Sequence, residues 1–210
     1  MNILKYDFSF PSSSLFLGKT MCGKTTLMKN ILYKYRSNFS RVFVYCPIYN
    51  NDYEFMDQKY VLRDIEVLKK IIFKQYDLKK ENKQQSILII LDDWIGSCDV
   101  RYDTIFHKLA TCGRHCDITT FYISQFLNKI PPVIRDNFNY IFILSISKSS
   151  LDSINEYQDT YSKNEFFDLY RLIKEKPYHG LLIDNKKPYL TNDKGALICT
   201  IPFHCPKSKK

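Results

Sequence analysis

A three-layer α/β domain, with a mostly parallel central sheet and helices on both faces, is the fold this sequence predicts. Three observations carry it. Apolar runs alternate along the chain with segments of helical periodicity, the pattern of strand–helix–strand units. A glycine-bracketed loop, Gly18-Lys19-Thr20-Met21-Cys22-Gly23-Lys24-Thr25, joins an apolar run to a helical one. A continuous apolar run, Ile87-Leu88-Ile89-Ile90-Leu91, ends in two carboxylates, Asp92 and Asp93.

The elements follow in order. Ser14-Leu15-Phe16-Leu17 reads as a short buried strand, and Thr26-Leu27-Met28-Lys29-Asn30-Ile31-Leu32 as the helix that leaves the glycine loop. Arg41-Val42-Phe43-Val44-Tyr45-Cys46 is the second strand, broken by Pro47 and Asn50-Asn51. Residues 64–80 place Ile65, Leu68, Ile71, Ile72 and Tyr76 at helical spacing. A polar link, 81–85, leads to the run 87–91, which has the unbroken hydrophobicity of a central parallel strand. Residues 103–112 form a helix with Ile105, Phe106 and Leu109 inward. Strands are expected at 118–123 and 140–144, one or two helices over 149–170, and a late edge strand at 180–184.

Bulk properties set the frame. The chain has 210 residues, enough for one domain with a full core, and 45% hydrophobic content is that of a globular protein. A single domain over 1–205 and a basic tail over 206–210 are expected. No run approaches the roughly 18 apolar residues that cross a membrane. Residues 1–7 lack the apolar stretch of a signal peptide. The 7 cysteines are odd in number and scattered, which suits free thiols in a reducing compartment. A net charge of +9 is compatible with nucleic-acid phosphates as partners, and equally with a Lys- and Asn-rich composition inherited from an AT-rich genome.

The glycine loop is a complete G-x-x-x-x-G-K-[ST] motif, the Walker A phosphate loop, and it marks a P-loop NTPase. Its glycines let backbone N–H groups of residues 18–26 curl around phosphate oxygens, and the helix beginning near Thr25 and Thr26 adds its positive end. Lys24 reaches the β- and γ-phosphates, and the Thr25 hydroxyl binds Mg²⁺. Lys19, Thr20, Met21 and Cys22 line the loop, with Lys19 a further cation near the phosphates.

The strand 87–91 delivers Asp92 and Asp93 to its C-terminal edge, where open α/β sheets bind ligands; this is the Walker B pattern. Asp92 holds Mg²⁺ directly or through water, and Asp93 orients the attacking water. The separation from the phosphate loop leaves room for one intervening strand. The next strand ends in Tyr122-Ile123-Ser124-Gln125, which sets the Gln125 amide beside the γ-phosphate. Arg114 and Arg135 flank that strand and are the candidate arginines that reach into a neighbouring subunit's site.

Other groupings carry less. His107, Cys112, His115 and Cys116 fall within ten residues but at irregular spacing, and Cys199, His204 and Cys205 are as loose, so no zinc is expected. The 16 tyrosines and 15 phenylalanines read chiefly as core residues. Trp94 reads as a packing anchor near a subunit boundary.

Gly113-Arg114-His115 precedes Ile118-Thr119-Thr120-Phe121-Tyr122-Ile123-Ser124-Gln125, followed by Ile130-Pro131-Pro132-Val133-Ile134-Arg135-Asp136-Asn137 and the strand 140–144. With both Walker motifs, this order resembles the poxvirus-type DNA-packaging ATPases of large DNA viruses and virophages, within the FtsK/HerA superfamily of ring-shaped DNA pumps. The resemblance spans residues 14–144. It implies a RecA-like core of the ASCE type, ATP with Mg²⁺, a ring of identical subunits, and ATP-driven movement of double-stranded DNA into a capsid. It further implies a capsid or portal-vertex partner, a place in the host cytoplasm or viral factory or with the virion, Gln125 as sensor and Arg114 as first choice for the trans-acting finger. Two positions depart from the wider superfamily. Asp93 stands where many relatives carry glutamate, and Asn139 begins the strand where bacterial-type translocases carry arginine.

Two other functions fit a phosphate loop: a nucleotide kinase, and a slow NTP-dependent assembly switch. The kinase reading lacks an arginine-rich lid and has an extra strand between its two motifs. DNA-stimulated ATP hydrolysis separates the motor from both.

Overall fold

A computed structural model of the chain describes residues 3–48, 51–96, 103–156, 161–175, 179–186 and 196–200. Eight strands form one sheet: β1 (Ser13–Leu17), β2 (Arg41–Tyr45), β3 (Val61–Leu62), β4 (Ile87–Leu91), β5 (Ile118–Ser124), β6 (Tyr140–Ile143), β7 (His179–Asp184) and β8 (Ala196–Thr200). Their spatial order is β3-β2-β4-β5-β1-β6-β7-β8. The first six are parallel; β7 runs antiparallel to β6, and β8 antiparallel to β7. The strand expected at the edge over 180–184 is therefore an inner strand, because β8 pairs along its outer side.

Helices cover both faces, unequally. α2 (Ile65–Lys80), α3 (Thr104–Cys112), the single turn α4 (Pro132–Arg135), α5 (Lys148–Asn155) and α6 (Lys163–Lys174) pack on one face. α1 (Lys24–Tyr35) covers the other with the N-terminal segment. The residues 149–170 thus hold two helices, the second begun by a Ser162–Glu165 capping box. Asp64 and Asp103 cap α2 and α3 by accepting the Glu66 and Ile105 amide protons at 2.9 and 3.0 Å.

Because both faces are covered, the central strands are apolar throughout. In β4, Ile87, Ile89 and Leu91 enter the five-helix core, while Leu88 and Ile90 face α1. On the α1 face Ile3, Tyr6 and Phe8 are core residues. The Phe8 ring lies 4.8 Å from Tyr6, 5.1 Å from Tyr140 and 5.8 Å from Tyr35. The Tyr6 hydroxyl also bonds Asp184 on β7. One helix is too narrow for this face, and the N-terminal aromatics cover what it leaves.

Trp94 is fully buried, its ring centroid 5.0 Å from Phe106 and 5.4 Å from Tyr122. It anchors α3 to the sheet. Burying a large ring of this kind stabilises a fold by several kcal/mol, about 3–5 on truncation to alanine.

Candidate nucleotide-binding site

The strand order places β5 between β1, which carries the glycine loop, and β4, which carries Asp92. All three point their C-terminal ends the same way, so their following residues meet at one sheet edge. The loop is fixed there from two sides. Gly18 donates its amide to Ser124 O at the end of β5 (3.1 Å), and Lys19 to Ser145 O just past β6 (2.7 Å). Next to Ser145, Ile146 donates its amide to the Tyr170 hydroxyl of α6 at 2.8 Å, which steadies that second support.

Each glycine of the motif answers a different need. A Cβ on Gly18 would lie 2.4 Å from the Cys22 sulfur, 3.1 Å from Leu144 Cβ and 3.3 Å from Ser145 O, so a side chain here would force the Cys22 side chain and its neighbours to shift. Gly23, the residue before α1, has φ of 95°, a left-handed conformation that side chains disfavour. Met21 at the loop tip also has positive φ and is 98% exposed.

Lys24, the first residue of α1, is buried and donates from Nζ to Lys19 O at 2.7 Å. The ammonium thus lies across the loop. Thr25 and Thr26 follow in the first turn of α1, half-buried, where helix amides have no partner within the helix. The loop, a lysine and a helix N-terminus form a concave set of donors suited to phosphate.

Asp92 and Asp93 are separated by the backbone. Asp93 has φ of 50° and is exposed; Asp92 is buried. The left-handed turn, which aspartate tolerates better than most residues, sends the two carboxylates in different directions. Asp92 donates its amide to Tyr45 O at 2.9 Å, and its Oδ2 accepts the Tyr53 hydroxyl proton at 2.7 Å. Burial pushes the Asp92 carboxyl up to about 6, helped by Asp93 and Asp52, while the Tyr53 hydrogen bond and Lys24 pull the other way. Burial first, and then Asp92 itself, raises the Tyr53 phenol well above its ordinary value.

Gln125 lies at the loop as its position predicts. Its Oε1 accepts the Thr20 hydroxyl proton at 3.0 Å. Arg114 lies elsewhere. It sits in the 3-10 turn Gly113–Cys116 that precedes β5, at the N-terminal edge of the sheet. From Ile118 to Ser124 the chain advances about 20 Å at ~3.3 Å per residue, so Arg114 is about a strand's length from the phosphate loop of its own chain. Its Nη1 lies 3.5 Å from Asn139 Oδ1, and its Nε is buried without a hydrogen bond among the described residues. Burial, with Arg114 nearby, lowers the pKa of Lys186. Arg135 ends α4, on the segment that descends from Gln125 to Asn139.

Tyr53 is a site residue that sequence patterns did not single out. It ends the short 3-10 turn Asn51–Tyr53, in a stretch that reads only as a chain break after β2. The available signal was strand adjacency: β2 pairs with β4, Tyr45 opposite Leu91, so the first turn after β2 falls beside Asp92. Among the described residues no three of His, Cys, Asp and Glu are grouped as a metal site. His204, Cys205 and the tail 206–210 lie outside the described residues, as does the side chain of Cys199.

A phosphate loop on β1, a buried carboxylate ending β4 and one strand between them define a P-loop NTPase of the class with an additional central strand. The chain belongs to the poxvirus A32 protein family, which it matches over residues 3–201. Its fold is also that of genome packaging NTPase B204 from Sulfolobus turreted icosahedral virus 2 in complex with ATP-gammaS. That likeness has a TM-score of 0.64 at 16% identity, over 91% of this chain and 98% of the other. It is similar as well to EssC (ATPases 2 and 3) from Geobacillus thermodenitrificans, with a TM-score of 0.65 at 14% identity, over 93% of this chain and 40% of that one. The pCW3 conjugation coupling protein TcpA with ATPgS gives 0.60 at 14%, over 91% of this chain and 61% of that one. At such identities these likenesses concern the fold. No curated protein matches the chain by sequence.

Proposed function

We propose that the chain is an ATP-hydrolysing motor that moves viral double-stranded DNA into a capsid. The observation that carries this reading is the meeting of the phosphate loop, Asp92 and Gln125 at one sheet edge in a member of the poxvirus A32 family. Similarity to a genome packaging NTPase solved with ATP-gammaS supports both the nucleotide and the use. The intervening strand β5 speaks against the kinase reading, as the sequence pattern already did.

The residues divide the work. Backbone amides of residues 18–26 take the phosphates, and Lys24 exchanges the Lys19 carbonyl for β- and γ-oxygens. Thr25 and Asp92 would hold Mg²⁺. A hydroxyl and a carboxylate oxygen are donors this ion accepts, and a carboxylate desolvated as Asp92 is gains from a cation beside it. Held by these residues, Mg²⁺ would supply positive charge to offset that of the phosphates. Asp93, exposed on its own turn, orients the water and takes its proton as the water oxygen attacks the γ-phosphorus and ADP departs. Gln125, tied to Thr20, registers whether the γ-phosphate is present.

Arg114 acts on a neighbouring subunit. Its distance from the phosphate loop of its own chain removes a role there, and a ring of identical subunits sets one chain's edge against the next chain's site. Its guanidinium reaches Asn139, at the start of β6, the position where bacterial-type translocases carry arginine. Arg135 is the reserve. Double-stranded DNA, attracted by the +9 charge, a capsid or portal-vertex protein, and the viral factory complete the reading, with one ATPase domain over 1–205 and a basic tail over 206–210.

The test is ATP hydrolysis with and without double-stranded DNA. The motor reading expects stimulation by DNA that fades as salt rises. DNA-independent turnover, with phosphorylation of an added nucleoside monophosphate, would establish the kinase instead.

A further inference from the structure

The Tyr53–Asp92 hydrogen bond joins two groups that patterns in the sequence do not connect. Tyr53 is 1% exposed and Asp92 6%, so water does not take the place of either partner. A hydroxyl-to-carboxylate bond of 2.7 Å in such surroundings is a strong, directional contact. It engages Oδ2 of the carboxylate. The Asp92 backbone is fixed separately, through its amide to Tyr45 O. With the backbone held and one oxygen engaged, rotation about the last side-chain bond is arrested.

Tyr53 is itself anchored toward α1. Its neighbour Asp52 pairs with Lys29 at 3.6 Å, and the Lys29 ammonium lies 5.2 Å from the Phe55 ring centroid. Met56 donates its amide to Tyr53 O at 3.0 Å and closes the turn. Lys29 stands five residues after Lys24 on the same helix. The helix that begins at the phosphate loop therefore also holds the segment that orients Asp92.

We propose that Tyr53 is the positioning residue for the Mg²⁺ carboxylate. By engaging Asp92 Oδ2 it leaves Oδ1 as the oxygen presented to the ion, and the Asp52–Lys29 pair keeps it in register with α1. The inference rests on the reading of Asp92 as the Mg²⁺ carboxylate. A tyrosine that merely satisfied its own hydroxyl would contribute stability and leave metal affinity alone.

The test measures Mg²⁺ itself. Binding of a fluorescent, non-hydrolysable ATP analogue is titrated with Mg²⁺ on the full chain, beside steady-state hydrolysis. In Tyr53→Phe the half-saturating Mg²⁺ concentration rises about tenfold, the size of effect expected on losing a hydrogen bond to a charged group. At saturating Mg²⁺ kcat stays within about twofold, and analogue affinity in EDTA does not change. Lys29→Ala, which spares the core, raises half-saturating Mg²⁺ by about two- to threefold; it decides the matter if Tyr53→Phe does not fold. Unchanged Mg²⁺ dependence in a folded Tyr53→Phe, or in Lys29→Ala where the first variant does not fold, overturns the proposal. Asp92→Asn is the control. If it too leaves Mg²⁺ dependence intact, the reading of Asp92 has failed rather than that of Tyr53.

Discussion

The Thr20 hydroxyl donates to the Gln125 amide oxygen across 3.0 Å, so the phosphate loop and the residue that follows β5 are in direct contact. A γ-phosphate that draws Thr20 or Gln125 toward itself must break or redirect this bond. The same strand end accepts the Gly18 amide through Ser124 O, so a shift at Gln125 is felt by the loop backbone. Gln125→Ala is expected to slow ATP turnover by about 10- to 100-fold while ADP affinity stays within about threefold, because ADP lacks the group being sensed. Steady-state rates beside ADP titrations check it. Equal loss of ADP and ATP affinity would make Gln125 a structural support of the loop.

Lys24 Nζ donates to Lys19 O at 2.7 Å. Removing its side chain takes away a loop hydrogen bond and the main cation for the phosphates together. Lys24→Ala is expected to abolish hydrolysis and to weaken ATP binding by at least about tenfold. Circular dichroism should show the fold unchanged, because the strand ends hold the loop through backbone bonds. Normal hydrolysis by the folded variant would remove the phosphate loop from the mechanism.

Much of this site was legible because its parts are local. The loop 18–25 encodes its own turn through Gly18 and Gly23, and five consecutive apolar residues announce β4. What was missed depends on strand order. Tyr53 matters because β2 lies beside β4, and no spacing along the chain reports that. The two residues of β3 are too few for any period to show, and β8 at 196–200 displaced β7 from the edge. Ile3, Tyr6 and Phe8 are core residues because α1 alone leaves part of its face bare, a matter of sheet width rather than of local pattern. Trp94 is the packing anchor its size suggests, enclosed between Phe106 of α3 and Tyr122 of β5.

Asp92 gives the nucleotide-free protein a pH dependence whose sign follows from its shift. The folded chain holds the proton up to about pH 6, whereas the unfolded chain releases it near 3.8. Between these values the folded state binds more protons, so this residue's contribution to stability falls as pH rises from about 4 to about 6, and is level above. Asp92→Asn resembles the protonated form. It is expected to stabilise the nucleotide-free protein at pH 7.5 by on the order of 2 kcal/mol, an advantage that shrinks toward pH 4. Stabilisation of that variant by Mg²⁺ with ATP is expected to be lost. Thermal denaturation across this pH range, with and without ligand, checks both. A variant less stable than the parent at pH 7.5 would show that the Tyr53 hydrogen bond outweighs the burial of charge.

Arg114 offers the sharpest test of a shared active site. It lies at the edge of the sheet opposite the phosphate loop, with its Nη1 3.5 Å from Asn139 and its Nε buried without a hydrogen bond among the described residues. On the proposed reading, the γ-phosphate this guanidinium meets is a neighbouring chain's. Arginine in trans stabilises the charge that develops on the γ-phosphoryl oxygens, an effect worth about 10³–10⁵ in rate. Arg114→Ala is therefore expected to bind ATP normally and to hydrolyse it at least about a thousandfold more slowly. Mixed with Lys24→Ala, itself inactive, it regains activity, because some interfaces then combine an intact loop with an intact arginine. Dilution below the concentration at which subunits assemble silences the mixture. Full activity of Arg114→Ala, or mixtures that assemble and stay inactive, would exclude Arg114 as the finger and direct the same experiment to Arg135.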